Sequence, residues 1–286
     1  MQSLNRTTKL SASTLIFNIL SYSLVVFITI ACLVPIWLII SASFSLDELI
    51  RFNGYSFLPQ GFTLESYDFI FRYPMKIVRA YGVSIYITAI GTFFGLFLIT
   101  MTAYVISRKS FKYRNYISFF FYFTTLFNGG MVSTYVFYIR YLGLKDNLLS
   151  LIFPLLFNVF YLLIMRSFIS AVPSATIESA KIDGAGEWLI YSRIVMPLVK
   201  PALLTAMIFS VQALWNNPQA LLIYTEQLKT LPLAITQIIG SPHAPNVARA
   251  GVNAAGILIM MFVPITLFIF AQSNILKTMA SSGIKE

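Results

Sequence analysis

The chain has 286 residues, of which 58% are hydrophobic and only 10% are charged. So few polar groups cannot cover a water-soluble globule of this length, and the composition therefore predicts a protein solvated by lipid. The formal net charge of +10 does not indicate nucleic-acid binding, because the basic residues are spread thinly between apolar blocks instead of forming a clustered face.

The N-terminal region predicts a retained membrane helix. Arg6 and Lys9 precede an uncharged run that reaches Leu46. This run is longer than the apolar region of a cleaved signal peptide. The single cysteine, Cys32, lies inside it, so neither a disulfide framework nor a thiolate metal site can form. We predict no metal site and no cofactor on this chain.

Long uncharged runs predict an all-α polytopic membrane protein with six transmembrane helices. Each run has the roughly 20 residues needed to cross about 30 Å of hydrocarbon. A further uncharged stretch, residues 230–248, contains Pro232, Pro242 and Pro245, and we interpret it as a loop because such backbone could not be satisfied in lipid. The six predicted spans are residues 10–46, 80–107, 115–139, 147–165, 201–225 and 250–276.

The distribution of charge predicts the orientation of the spans. The loop after the second span carries Arg108, Lys109, Lys112 and Arg114 and no acidic residue, and basic residues are enriched in short cytoplasmic loops. Both termini are therefore predicted to be cytoplasmic. We divide the chain into a cytoplasmic segment at residues 1–17, a six-helix domain at 18–276 and a cytoplasmic tail at 277–286.

Several residues inside the predicted spans indicate helix packing. Gly91 and Gly95 lie one turn apart in the second span, where they allow another backbone to approach closely. Pro35, Pro154 and Pro264 lie inside the first, fourth and sixth spans, and their missing backbone donors predict kinks. A multi-helix bundle follows.

The longest outer connection, residues 45–79, is predicted to contain a short ordered cap. Pro59 ends an irregular stretch, Thr63 can cap a helix start, and Glu65 and Asp68 suit the positive end of that helix. The sequence leaves open whether this cap is a docking surface or only packing.

The connection between the fourth and fifth spans, residues 171–201, is predicted to form two short helices joined by a turn at Gly184. Its pattern is Glu178-Ser179-Ala180, three residues, Gly184, nine residues and Ile194-Val195-Met196-Pro197. This pattern resembles the E-A-A, x3, G, x9, I-x-L-P signature of permease subunits of ABC importers, with Ser for Ala and Met for Leu. We refer to residues 171–201 as the signature loop.

The resemblance implies that the first helix of the signature loop inserts into a cleft of a cytoplasmic ATPase. Glu178 and Asp183 would engage polar groups there, beside Ser179, while Ala180 would permit close approach and Gly184 the bend. Ile194 and Pro197 would seat the return helix. An alternative for Glu178 is an ion pair with Lys181 within the helix and no further role.

The resemblance covers nearly the whole chain. Stretches at 58–59, 63–67, 213–216 and 230–233 are similar to carbohydrate-importer permeases of the maltose-transporter type, and residues 127–135 resemble the branch that handles larger or unusual saccharides. This implies a second homologous permease, two ATP-binding subunits carrying ATP and Mg, an extracytoplasmic solute-binding protein and a sugar substrate. The chain has no G-x-x-x-x-G-K-[ST] motif, so we predict a transport subunit and not an enzyme.

Polar and aromatic residues inside the spans are candidates for the sugar path, because such groups are costly in lipid and normally face an interior. Amides can bond sugar hydroxyls, and flat rings can stack on sugar faces. The same groups can instead join helices, the partner permease can make most sugar contacts, and residues 128–130 can simply unwind the third span. The candidates are Asn128, Ser133, Tyr135, Asn158, Tyr161, Gln212, Trp215, Asn216, Asn217 and Asn253.

Other classes of function fit the sequence less well. An ion-coupled secondary transporter would place an Asp, Glu or His within a span, and no predicted span contains one. A membrane enzyme would need paired carboxylates, a metal-ligand cluster or a nucleophile with its base, and we identify none of these within the predicted spans. Within the importer class an oligosaccharide substrate ranks first and a simple di- or trisaccharide second.

Overall fold

The structure, a computed structural model, describes residues 12–72, 74–127, 129–217, 223, 225–240 and 249–282. Within these ranges every extended regular element is a helix, and the strand geometry amounts to an isolated bridge between Ser45 and Phe62. The all-α prediction is confirmed for this part of the chain.

The α-helices are numbered in chain order, and short π-helical turns follow two of them at Phe137–Tyr141 and Ile190–Val195. The helices are α1 Ala12–Ser43, α2 Asp47–Asn53, α3 Glu65–Ile70, α4 Pro74–Ser107, α5 Arg114–Leu126, α6 Gly130–Val136, α7 Leu149–Leu156, α8 Val159–Ser170, α9 Ser174–Ile182, α10 Glu187–Leu189, α11 Met196–Leu198, α12 Lys200–Trp215, α13 Leu231–Ile239 and α14 Arg249–Ser282.

Three helical segments of the described chain are long and apolar enough to cross a membrane alone: Ser13–Ser43, Pro74–Ser107 and Ala250–Phe270. Two bent pairs of helices pass the same test together, so the number is at most five if each pair is one span. One joins α7 to α8 at 45°, just beyond Pro154, and the other joins Glu187–Leu198 to α12 at 82°. Pro35 and Pro264 lie inside α1 and α14. The third predicted span is interrupted between α5 and α6, so the count of six stays a prediction.

The expectation of a loop throughout residues 230–248 is wrong at its beginning, where α13 forms. Pro232 lies in the first helical turn, where its missing N–H leaves no intrahelical bond unmade. The buried Ser84 hydroxyl of α4 accepts the Leu231 N–H at 2.8 Å, and Leu231 and Ile235 are also buried. Residues 241–248 lie outside the described chain.

A smaller compact unit combines residues 12–70 with 249–259. Thr63 accepts the Glu65 N–H at 3.2 Å, so the predicted cap of α3 is present. The Asp47 carboxylate accepts the Gly251 N–H at 2.9 Å near the start of α14, where a negative charge is favourable. A Cβ on Gly251 would lie 2.7 Å from the Ser66 hydroxyl oxygen, so the Ser66 side chain would have to shift to admit a larger residue here.

A larger compact unit comprises the described residues from 71 to 240 and from 260 to 282, and α4 packs against α7, α8, α12 and α13 within it. Gly91 lies against the Leu214 side chain of α12. A Cβ on Gly95 would lie 2.6 Å from the Leu156 carbonyl oxygen of α7. The close backbone approach predicted from these two glycines is confirmed at Gly95.

Candidate ATPase-coupling loop and transport path

The signature loop begins with α9, which ends at a turn that requires Gly184. Gly184 has a φ of +80°, a conformation that glycine adopts without strain. Its N–H donates to the Lys181 carbonyl at 3.0 Å, and the Ala185 N–H donates to the Ala180 carbonyl at 2.9 Å. These two bonds form a Schellman motif, which satisfies the last carbonyls of the helix. The predicted two helices joined by a turn are therefore present.

One face of α9 is exposed. Glu178, Ser179 and Asp183 all lie at the surface of the chain, and Ile182 keeps 85% of its accessible area. An exposed apolar side chain and two carboxylates therefore share this face of the helix. We call Glu178, Ser179, Ile182 and Asp183 the α9 surface.

The opposite face of α9 is buried. Ile177 and Ala180 belong to one core cluster with Ala103 of α4 and Met165 of α8. The small side chain of Ala180 thus allows close packing within this chain. Of the remaining signature residues, Ile194 is half-buried against the same cluster and Pro197 is exposed within α11.

A polar network that sequence reasoning missed lies between the signature loop and α4. Glu187 accepts the Tyr104 hydroxyl proton at 2.5 Å and pairs with Lys181 at 2.5 Å. In the structure Lys181 pairs with Glu187, because the turn at Gly184 returns the chain toward α9 and brings Glu187 to Lys181. Arg108 lies 4.0 Å over the Tyr104 ring. No sequence signal could have indicated these contacts, which join residues up to 83 positions apart.

The surroundings of Glu187 favour its charged form. The hydrogen bond from Lys181 and then that from Tyr104 lower the pKa of the Glu187 carboxyl below its ordinary value. Glu187 is therefore an anion at neutral pH. Arg108 contributes a further favourable charge.

The predicted path residues have mixed surroundings. Asn128 lies outside the described residues. The helix α5 ends at Leu126 and α6 begins at Gly130. Ser133 on α6, Gln212 on α12, Asn216 just after it and Asn253 on α14 are exposed, and Tyr135 is half-buried.

Of four further candidates, three make contacts that join helices, and the fourth caps its own helix. Asn158 caps α8 by accepting the Phe160 N–H at 2.9 Å, and Tyr161 stacks on Phe209 with ring centroids 6.2 Å apart. Trp215 is buried and donates to the Met260 carbonyl at 2.9 Å. Asn217 is also buried and donates to the Leu151 carbonyl at 3.2 Å. These contacts support the helix-joining alternative for Tyr161, Trp215 and Asn217.

The larger unit contains a cavity of about 720 Å³ bounded by α4, α12 and α14. Its walls are almost wholly apolar, and Trp215 is the only predicted path residue among those that line it. The hydroxyls of Thr88 and Thr92 line it one turn apart and have no hydrogen-bond partner among the described residues. Such a surface offers a saccharide few polar partners, so the cavity does not replace the predicted path.

The signature loop lies inside a region that matches a known protein family. Residues 99–280 match the family model described as binding-protein-dependent transport system inner membrane component. The chain belongs to this family. It is therefore a multi-pass permease of the cytoplasmic membrane that works with a solute-binding protein, and the prediction of a transport subunit is confirmed.

Two curated relatives from Bacillus subtilis (strain 168) are similar over most of the permease. The polygalacturonan/rhamnogalacturonan transport system permease protein YtcP is 33% identical over 77% of this chain and 76% of its own length. Protein LplC is 32% identical over 88% of this chain and 89% of its own length.

A solved structure shares the fold of the permease. It is a chain of a bacterial ABC transporter involved in the import of the acidic polysaccharide alginate, with a TM-score of 0.76 and 25% identity. The match covers 92% of this chain and 98% of the other. The predicted resemblance to ABC importer permeases is confirmed.

Proposed function

We propose that this permease translocates an oligosaccharide across the cytoplasmic membrane as part of an ATP-driven importer. The name of YtcP refers to polygalacturonan and rhamnogalacturonan, and the solved structure belongs to an importer of alginate; all three are polymers. This favours an oligosaccharide over a simple di- or trisaccharide. The complex would contain a second homologous permease, two ATP-binding subunits and the solute-binding protein, with ATP and Mg on the ATP-binding subunits.

The membrane topology of the proposal is six spans with both termini in the cytoplasm. The bent pair of α7 and α8 would form the fourth span, and α5 with α6 would form the interrupted third. The loop with Arg108, Lys109, Lys112 and Arg114 would then lie in the cytoplasm, as the positive-inside rule favours. The signature loop would lie on the same side as the ATPase.

The α9 surface is the proposed docking site for an ATP-binding subunit, and it is the observation that carries the proposal. Glu178 and Asp183 offer carboxylates to basic or amide groups of the ATPase, while Ile182 offers an apolar side chain. Because Ile177 and Ala180 bury the other face of α9, the surface is presented by a helix that is fixed to the bundle.

The proposal is tested by co-expressing the permease with its second permease and ATP-binding subunits and purifying the complex in detergent. Glu178→Arg and Ile182→Asp should each remove the ATP-binding subunit from the purified complex. Glu48→Arg is the matched control, because Glu48 is exposed on α2 in the smaller unit. Loss of the ATPase from all three variants, or from none, would contradict the docking site.

The substrate is tested with the complete importer in proteoliposomes. ATP hydrolysis should rise when the solute-binding protein delivers an oligosaccharide, and oligogalacturonate and a neutral oligosaccharide should be compared. Stimulation by a disaccharide alone would overturn the substrate class. Transport that runs on an ion gradient without ATP would overturn the proposed mechanism.

A further inference from the structure

Glu187 holds three elements of the larger unit together. It begins α10, immediately after the turn that ends α9. One carboxylate oxygen accepts the Tyr104 hydroxyl of α4, and the other pairs with Lys181 of α9. Glu187 is not part of the E-A-A signature, which does not account for these contacts.

A second contact repeats the first one turn away. The hydroxyls of Tyr191 and Thr100 are 2.7 Å apart, and both residues are buried. Tyr191 follows Glu187 by four residues, and Thr100 precedes Tyr104 by four. The two hydrogen bonds are therefore successive rungs between antiparallel helical stretches. We call Thr100, Tyr104, Glu187 and Tyr191 the two-rung link.

The rings and charges around the two-rung link fix its geometry. The Tyr104 and Tyr191 rings meet edge to face at 5.4 Å between centroids. Arg108, one turn beyond Tyr104, lies over the Tyr104 ring at 4.0 Å from its centroid. A hydrogen bond to an ionised carboxylate is shorter and stronger than one between neutral groups, so the Glu187 rung is the stronger of the two.

Hydrogen bonds at two successive turns constrain how two packed helices slide along each other. Apolar contacts have little directionality, so hydrogen bonds fix the register of two packed helices more sharply than apolar contacts alone. A slide by one helical turn moves a helix about 5.4 Å along its axis and would stretch both rungs beyond hydrogen-bond distance. The link therefore opposes movement of the signature loop along α4.

We propose that Glu187 is a positioning residue through which a displacement of α9 by the ATPase is transmitted to α4. This inference rests on the proposed function, because it takes the α9 surface as the place where the ATPase acts. When the ATPase dimer closes, α9, α10 and the end of α4 move as one body. The helix α4 in turn carries Gly91, Gly95 and one wall of the apolar cavity.

The test is the amount of oligosaccharide transported per ATP hydrolysed by the complete importer in proteoliposomes. Tyr104→Phe removes one hydroxyl and leaves the ring contacts, and Glu187→Met removes the acceptor at similar side-chain length. Each should lower the ratio about two- to tenfold, the range that loss of a hydrogen bond supports. The transport ratio of the double variant should be no lower than that of the more impaired single variant, because both changes break the same rung.

The other rung and two distant residues supply the controls. Thr100→Val keeps the side-chain volume and breaks the second rung, so its effect should multiply with that of Tyr104→Phe. Tyr116→Phe and Glu48→Gln alter exposed residues elsewhere and should keep the wild-type ratio. A merely structural role would lower the yield of complex without changing the ratio in the complex that assembles.

An unchanged transport ratio in Tyr104→Phe and Thr100→Val overturns the inference. If Glu187→Met does not accumulate, these two variants still decide, since each removes one hydroxyl interaction from the link. The proposed function fails differently, because the wild-type importer would then show no oligosaccharide-stimulated hydrolysis. The two failures are therefore distinguishable.

Discussion

The two ends of α4 are held by different chemistry. Near its start, the Ser84 hydroxyl is fully buried and accepts the first N–H of α13, a neutral bond between two neutral groups. Near its end, Tyr104 bonds a carboxylate whose side chain is 57% exposed and which also holds Lys181. The first contact is a fixed junction of two buried elements. The second joins α4 to a loop with an exposed outer face, where an external force can act.

The largest loss of stability should come from a substitution in the middle of α4. There α4 is held by close backbone packing and not by the hydrogen bonds found at its two ends. Gly95→Val would place a branched side chain against the Leu156 carbonyl and should lower the free energy of unfolding by about 3 kcal/mol. Gly82→Val is the control, because nothing lies within 4 Å of a Cβ at Gly82. It should change stability by less than about 0.5 kcal/mol. Thermal unfolding in detergent measures both, and equal losses would contradict the close approach.

The next largest loss of stability should come from breaking the junction between Ser84 of α4 and Leu231 of α13. Ser84→Ala leaves the buried Leu231 N–H without an acceptor, so it should cost about 1–2 kcal/mol. Thr102→Ala removes a hydroxyl that bonds only its own helix, through the Leu98 carbonyl, and should cost less. Hydrogen exchange should show faster opening of α13 in Ser84→Ala alone. Unchanged protection of α13 would mean that apolar burial holds it without the bond.

A third change tests the ion pairs near the same end of α4. Lys76 pairs with Glu226 at 3.5 Å, and both side chains are more than half exposed. Lys229 is buried and pairs with the same carboxylate, and its hydrogen bond lowers the pKa of Glu226. Lys76→Ala should therefore cost well under about 1 kcal/mol. Lys229→Ala should cost more, and thermal unfolding should rank them in this order.

The smallest effect concerns pH at the other end of α4. The folded-state pKa of Glu187 is lowered, so its contribution is fully present above the ordinary carboxyl pKa and is lost as pH falls through the lowered value. The stability difference between wild type and Glu187→Met should stay constant from about pH 8 to about pH 5 and shrink only below that. A difference that already shrinks near neutral pH would contradict the assignment to this carboxylate, which faces Lys181, Arg108 and Tyr104.

The sequence predicted the helical class, the close approach at Gly95 and the turn at Gly184, because each depends on local composition. The length of an uncharged run indicates a membrane-spanning helix, and a glycine between two short helices indicates a helix end. The same reasoning failed at α13. Pro232 indicated a loop there, yet proline is tolerated in a first helical turn, and the acceptor from Ser84 is supplied by a distant element.

The candidate site was predictable only in part, for the same reason. The spacing around Glu178 located the signature loop, but the contacts of Glu187 depend on how α4 packs against it. The polar residues of the spans could not be divided by sequence into path and packing. The sequence predicted Asn158 and Trp215 alike as path residues. In the structure Asn158 caps a helix, and Trp215 makes a buried hydrogen bond between helices.

The most direct test of the account is the distance between α9 and α4 in the working importer. Spin labels would be attached at Thr176→Cys and Val105→Cys, both at exposed positions, in a background where the single native cysteine is removed by Cys32→Ala. The distance distribution measured by pulsed electron paramagnetic resonance should be the same without ATP and in a trapped ATP-bound state, since the two helices move as one body. A shift approaching one helical turn, about 5 Å, would show that α9 slides along α4 and would contradict transmission through Glu187.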